Sequence, residues 1–520
     1  MAVFGWAWGR YTGGTLTATI SKIIESCCMR LLRAYSCRTA FALIAVFCLP
    51  ATGLAQQDSE RAIIAKSPLP ASAVGYVVFD LAARRIVAAK DAKKLFIPAS
   101  VAKVPTTVAA LEMLGPDYRF ETKIYVKAKP GARNGTVADL YLVGGGDPVL
   151  DGDHMLEMIK ALGAKGVNRV AGRFLYDETM LPAVARISAL KPDHAPHNTG
   201  VGALSVNFNR FRVNWVRAGK QAVLQTTALS LTNRLKIEIA TIGFALGRRG
   251  RRPEGPFVYA ELGGRDHWIV SPYLRRKGQA WLPVRKAGLT AAAVFRRLGE
   301  ENGIALPQPR PGRAPADARF VHSFKSQPLT EIARRVLYFS NNLAAELTGA
   351  VATRAAGGKP LTLSQSGGAM AAWLKARMPK ADWTGFVLDN HSGLTLASRM
   401  SPHQVLAMLR YAHNKRYGPF RYADLLKPYH LPSKMIAQRG YRVRAKSGTM
   451  NYIRGRAGYI QTLGGRALAF VLFIGQPHAR KDYSGPRGAG LAQVRSGPRR
   501  WRYRARQLEQ ALIAKWVTAY

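Results

Sequence analysis

In the stretch "PASVAKVPTT" two side chains, Ser100 and Lys103, stand three residues apart and could do chemistry together. A serine hydroxyl is a weak nucleophile until a neighbouring base takes its proton. Lysine can be that base only where desolvation or nearby positive charge lowers its pKa and leaves a neutral amine. At i and i+3 of a helix both groups lie on one face, within one turn. The same pair also fits a plain helix start followed by a surface lysine, so the spacing alone leaves both readings open. Ser100 is expected at the helix start, where free backbone N–H groups hold a developing oxyanion. Pro105 is expected to delete one helical hydrogen bond and kink the helix.

Other groups are weaker candidates. Gly144-Gly145-Gly146-Asp147 lacks the endings and spacings of phosphate-cradling loops and reads as a tight turn. His194 and His197 flank Ala195 and Pro196 with no third ligand suggested, so no metal is expected there.

The elements that must position Ser100 and Lys103 follow from periodicity. "GYVVFDLAARRIVAAKDA" (Gly75 to Ala92) alternates around a short turn and reads as a β-hairpin. Val101, Val104, Val108, Leu111 and Leu114 recur at helical spacing and stop at Gly115. From 121 to 315 the texture becomes strand-like, with one helix, "HMLEMIKALGAKG", and a Pro/Arg-rich end. Helices then return, followed by two strand candidates, "YRVRAKSGTM" and "RALAFVLFIG", and a last helix after "GPRRW". This order predicts an α/β (α+β) catalytic domain in two pieces, 56–120 and 316–520, interrupted by a large β-rich insertion at 121–315. A site shared by the two pieces needs residues from both.

Such residues exist. "YFSNNLAAEL" supplies Ser340 and Asn342, and "RAKSGTMNY" supplies Lys446, Ser447, Gly448 and Thr449. Ser-x-x-Lys, Ser-x-Asn and Lys-Ser/Thr-Gly in this order resemble the three signatures of penicillin-binding proteins and serine β-lactamases. Ser340 follows Ser100 by 240 positions and precedes Lys446 by 106. The long first gap holds "YLVGGGDPVL" and "GALSVNFN", and "DNHSGLTLASRMSP" comes later. In this the chain is similar to the low-molecular-mass class C penicillin-binding proteins, the D-alanyl-D-alanine carboxypeptidase/endopeptidases of the peptidase S13 type, from roughly Ala62 to Gly475.

That resemblance implies a penicillin-binding/serine β-lactamase-like fold, helices around an antiparallel sheet. It implies that Ser100 attacks the D-Ala-D-Ala carbonyl, with Lys103 as its base, kept neutral or hydrogen-bonded by Lys446. Ser340 would relay the proton to the leaving amine and Asn342 would hold the acyl-side amide. Lys446, Ser447 and Thr449 would bind the terminal carboxylate, and the N–H groups of Ser100 and Thr449, flanking Gly448, would form the oxyanion hole. The implied substrates are peptidoglycan stem peptides, with β-lactams as acylating inhibitors and no cofactor. Three positions depart from the common pattern: Ser447 for threonine, Asn341 for aspartate, and His391 within the "DNHSGL" loop. A serine β-lactamase is the alternative, opposed by the insertion and by the absence of an obvious deacylating glutamate. A non-catalytic, basic wall- or membrane-binding protein on the same fold is opposed by the intact signature set.

Composition sets the compartment. Arg30, Arg33 and Arg38 precede the apolar run Ala40 to Pro50 and small residues at Gly53 and Ala55, the order of a secretory signal. Cleavage is expected after about Ala55, with Met29 as a candidate start, placing the mature chain in the periplasm. All four cysteines, Cys27, Cys28, Cys37 and Cys48, fall in this leader, which excludes disulfides, thiolate nucleophiles and cysteine metal sites from the mature chain. The formal charge of +47 becomes +43 without residues 1–55, which hold five basic side chains and one acidic. Such an excess suits an anionic wall or membrane surface, or is a plain solvated surface; export makes nucleic acid the least suited partner. The basic segment 480–502 and the terminal helix are the candidate contacts, and Leu508, Leu512, Trp516 and Tyr520 at i+4 steps predict that this helix packs on a sheet.

Overall fold

All seven residues of Val74–Asp80 are buried, which marks a strand covered on both faces. It pairs antiparallel with Arg85–Lys90 on one side and with Ala467–Gly475 on the other. The sheet continues through Ile453–Gln461 to Arg442–Met450, which forms its edge. The beginning and the end of the chain therefore build one antiparallel sheet, as the two-piece reading requires. The computed structural model describes residues 60–128, 135–218, 223–232, 234–247, 255–479 and 491–520, and the segment Ile63–Tyr520 is one unit. The expected leader with its cysteines, and Arg480 and Arg487 of the basic segment, lie outside the described residues.

Alternation along the strands divides the core. Val77, Phe79, Val471 and Phe473 face a helical layer that includes Lys103–Leu114 and Asn342–Gly357. Tyr76, Val78, Phe470 and Leu472 face the terminal helix Leu491–Ala519 through Leu512 and Trp516. Leu508 is buried in the same layer, and the Tyr520 hydroxyl donates to the Val87 carbonyl at 3.1 Å, so this helix packs on the sheet as expected. Arg499, Arg500 and Arg502 stand exposed on its outer face. No helix among the described residues is long and apolar enough to cross a membrane.

Among the elements that escaped the sequence reading are the helix Pro402–His413, one strand and a helix of the insertion. The strand Ile453–Gln461 sits inside the sheet although its glycines argue against a strand. Those glycines are close contacts: a Cβ on Gly458 would lie 2.1 Å from the Arg444 carbonyl oxygen, and one on Gly455 would lie 2.8 Å from the Phe473 ring. Within 121–315 there is a second helix, Ala287–Glu301, which starts without any side-chain cap and so gives no start signal. It buries Ala291, Ala292, Phe295 and Leu298 and packs beside the expected helix Gly152–Ala164.

The insertion leaves and re-enters through a narrow neck. Its main sheet begins with Glu121–Ala128 and closes with Arg319–Lys325, paired antiparallel to it. At the base of this pair the Phe120 N–H donates to Ser326 Oγ at 2.9 Å and the Ser326 N–H donates to the Phe120 carbonyl at 2.9 Å. Ser326 is fully buried, so the two crossings are tied together away from water.

The terminal helix is also held by charge. Glu509, 1% exposed, accepts from Arg454 Nε and Nη2, both at 2.8 Å, and forms an ion pair with Arg456 Nη2 at 2.9 Å. Removing one partner of a buried ion pair leaves the other charge uncompensated. Glu509→Ala is therefore expected to cost about 3–5 kcal/mol of stability, read as a lowered midpoint in thermal or urea unfolding; an unchanged midpoint would contradict the clasp.

Candidate active site

Ser100 lies one turn earlier than the sequence suggested, in a 3-10 turn over Ala99–Ala102, and the α-helix proper begins at Lys103. Pro105 is the third residue of that helix, in its first turn, and the helix runs on to Leu114. The expected kink is absent because the first-turn N–H groups do not depend on α-helical acceptors. Ala99 has φ +46°, a left-handed conformation that costs a non-glycine residue about 1–2 kcal/mol. Surrounding segments hold it there. A Cβ on Gly393, itself at φ +74°, would lie 1.9 Å from the Ala99 carbonyl oxygen. One on Gly448 would lie 2.5 Å from the Pro98 carbonyl oxygen and 3.1 Å from the Ser100 nitrogen. The turn that carries Ser100 is thus clamped between a loop and the edge strand.

The Lys103 side chain is fully buried, and its Nζ contacts Ser100 Oγ at 3.1 Å, Asn342 Oδ1 at 2.8 Å and the Ser392 carbonyl at 2.7 Å. Two of these partners can only accept hydrogen bonds. A neutral amine gives them its two N–H groups and turns its lone pair to the third, the Ser100 hydroxyl, which alone can donate. Burial lowers the Lys103 pKa to about 7, with the Glu346 carboxylate pulling the other way. Lys446 was expected to keep Lys103 neutral, yet the cause that lowers its pKa is desolvation by burial. Lys446 is itself buried, donates to the Ser447 carbonyl at 2.7 Å, and is held well below its ordinary pKa by burial first and by Lys103, Arg456 and Lys427 next.

Glu346 is a residue that the sequence reading missed. It sits buried four positions after Asn342 on the same helix, and its two oxygens accept from the N–H groups of His391 and Ser392, both at 3.0 Å. Burial raises its pKa against the lowering effect of those N–H groups. Through this grip the Ser392 carbonyl is presented to Lys103. The His391 departure is absorbed locally: its ring fits because Gly349 has no side chain, where a Cβ would lie 2.2 Å from it, and its Nε2 contacts Ser366 Oγ at 2.7 Å. Full burial brings the imidazole pKa down to about 3, so it is neutral at ordinary pH.

Ser340 ends the helix Leu329–Phe339 in a left-handed conformation, φ +58°, and its hydroxyl has no hydrogen-bond partner among the described residues. Asn341, the second departure, caps the next helix by accepting from the Ala344 N–H at 3.0 Å, a task aspartate performs equally well. Asn342 joins the two parts of the chain: its Oδ1 accepts from Lys103 and its Nδ2 donates to the His197 carbonyl at 3.0 Å. His197 belongs to a loop of the insertion that buried Arg285 holds by three carbonyls, those of Ala185, Asp193 and Asn198 at 3.1, 2.7 and 2.7 Å. On the edge strand Lys446 and Gly448 share the face toward Ser100, and Ser447 and Thr449 alternate to an exposed face. No group of three His, Cys, Asp or Glu side chains that could hold a metal occurs among the described residues. Gly144 and Gly145 press on the backbones of Ala203 and Glu121, which suits the turn reading.

With this geometry in view, similarity to known proteins covers most of the chain. The model of the D-Ala-D-Ala carboxypeptidase 3 (S13) family matches residues 56–490. A D-alanyl-D-alanine carboxypeptidase of Actinomadura sp. (strain R39) is 27% identical over 503 residues, covering 86% of this chain and 88% of its own. The crystal structure of penicillin binding protein 4 from Haemophilus influenzae superposes with a TM-score of 0.68 at 18% identity, covering 87% of this chain and 99% of that one. A second structure of that protein, complexed with a novel β-lactam, gives 0.65 at 17% identity over 88% and 99%. At these identities the two structures establish the fold.

Two outcomes follow from the geometry. Serine acylation needs neutral Lys103, so its rate is expected to rise with pH through a midpoint near 7 and to fall below it as the amine protonates; a flat profile from pH 5 to 9 would remove Lys103 as the base. Gly393→Ala must displace the Ala99 carbonyl and is expected to slow acylation by about 100-fold, measured by single-turnover labelling.

Proposed function

We propose, for a chain that belongs to the D-Ala-D-Ala carboxypeptidase 3 (S13) family, that its catalysis proceeds through an acyl-enzyme on Ser100 and acts on peptidoglycan stem peptides and cross-bridges. As a member the chain is a serine-type D-Ala-D-Ala carboxypeptidase, related to one from Actinomadura. The single observation that carries the residue assignment is the buried Lys103 amine with its two obligate acceptors and the Ser100 hydroxyl.

Neutral Lys103 takes the Ser100 proton as Oγ attacks the penultimate D-alanine carbonyl. The N–H groups of Ser100 and Thr449 receive the developing oxyanion. Ser340 passes the proton to the nitrogen as the C–N bond breaks, and D-alanine or a longer amine leaves. Water then adds to the ester, with Lys103 again as base, and frees the acid. Exposed Ser447 and Thr449, with Lys446 beneath them, hold the terminal carboxylate, and Asn342 orients the acyl-side amide. A β-lactam acylates the same serine and stays bound, in keeping with the β-lactam complex of the Haemophilus protein. A serine β-lactamase that activates its deacylating water with a carboxylate would need that carboxylate free. The carboxylate beside Lys103, Glu346, is instead engaged by two backbone N–H groups. The signal-like leader supports action in the periplasm, and the +43 charge of the chain without it supports contact with an anionic wall or membrane surface.

Mature protein mixed with a fluorescent penicillin is expected to carry a stable label on Ser100, and with a stem pentapeptide to release D-alanine. Ser100→Ala is expected to abolish both; a labelled mutant would refute the nucleophile, and rapid penicillin turnover would favour a β-lactamase.

A further inference from the structure

A pocket of about 470 Å³ opens against Ser340, Asn341 and Asn342, walled on its other side by the insertion. Arg210, Arg335 and His197 line it, together with Phe208 and Phe339, and no aspartate or glutamate does. Neither guanidinium is in an ion pair among the described residues. The Arg210 guanidinium lies over the rings of Phe208 and Trp281, 5.8 Å from each centroid, which fixes its direction. Thr199, 2% exposed, also lines the pocket, and its hydroxyl has no hydrogen-bond partner. The local field is positive: burial lowers the His197 pKa, and Lys191, Lys103 and Arg210 lower it further.

Unpaired arginines are ordinary on a chain of this charge, where each is solvated singly. This pocket differs, because Arg210 is partly desolvated between aromatic rings and the Thr199 hydroxyl is buried without a partner. Both conditions are costly unless an acceptor enters. A carboxylate matches them, accepting from a guanidinium in a charge-assisted pair and from the threonine hydroxyl.

We propose that this pocket is a subsite for a carboxylate carried by the leaving strand, so that the enzyme favours an acidic peptide as leaving group over free D-alanine. The proposal rests on the reading of Ser340 as the group that hands the proton to the leaving amine, since the pocket adjoins Ser340. D-alanine is one residue long and its carboxylate is held by Lys446, Ser447 and Thr449. A leaving peptide extends by about 3.3 Å per residue and brings further carboxylates within reach of Arg210 and Arg335.

The test uses two synthetic substrates that share one acyl donor. In one the leaving strand is an acidic tetrapeptide, and in the other its side-chain and terminal carboxyls beyond the first residue are amidated. Wild type is expected to cleave the acidic form with a kcat/KM about tenfold higher, and Arg210→Gln to bring that ratio close to one, with Arg210→Lys restoring part of it. Penicillin labelling, which involves no leaving strand, reports whether each variant is folded. Should Arg210→Gln fail to label, Arg335→Gln on the exposed helix face decides, with a reduced ratio expected. A ratio near one in the wild type, or one untouched by both substitutions, overturns the subsite. Wild type that neither labels with penicillin nor cleaves either substrate overturns instead the functional reading beneath it.

Discussion

The site depends on one amine, that of Lys103, kept away from water. Burying a lysine is costly in either protonation state: the ammonium loses hydration, and the amine must still satisfy its N–H groups. Lys103 meets the second demand with exactly two fixed acceptors, Asn342 Oδ1 and the Ser392 carbonyl, leaving its lone pair for Ser100. Each acceptor arrives from a different segment, so helix, loop and the Ser100 turn must all be in place before the amine has its three partners. Glu346 and Gly393 make sense as supports of that single nitrogen, one gripping the loop and the other letting it touch Ala99.

The insertion takes part in this arrangement. Asn342 is held from one side by Lys103 and from the other by the His197 carbonyl, and Arg285 secures the loop that carries His197. A side-chain amide fixed at both ends cannot flip its oxygen away from Lys103 without losing two hydrogen bonds. The β-rich region therefore stiffens a residue of the catalytic half as well as walling its surroundings.

How much of this was legible in the sequence depended on whether side chains or backbone groups did the work. Ser100, Lys103, Ser340, Asn342 and Lys446 were singled out by side-chain type and order, and the two-piece sheet followed from alternating strands at both ends. The carbonyls of Ser392 and His197 could be supplied by any residue, and nothing in the sequence marks them. Glu346 was recoverable in principle, as the lone carboxylate of its helix, four positions after Asn342. The strand Ile453–Gln461 was hidden because its glycines, needed for close packing, look like strand breakers, and the uncapped helix Ala287–Glu301 lacked a start signal.

The tied neck at Phe120 and Ser326 bears on how such a chain reaches its active form. Of the 240 positions separating Ser100 from Ser340, 206 lie beyond that buried crossing. Closing a loop of that length costs only a logarithmic entropy term, and it is spent once, within the sheet of the insertion itself. With the neck formed, the catalytic half experiences the intervening region as a short connection, which removes about 206 positions from every separation that spans it. A module of just over two hundred residues can thus be carried, exchanged or enlarged at this point while the separation of Lys103 from Asn342 and Ser392 stays shortened.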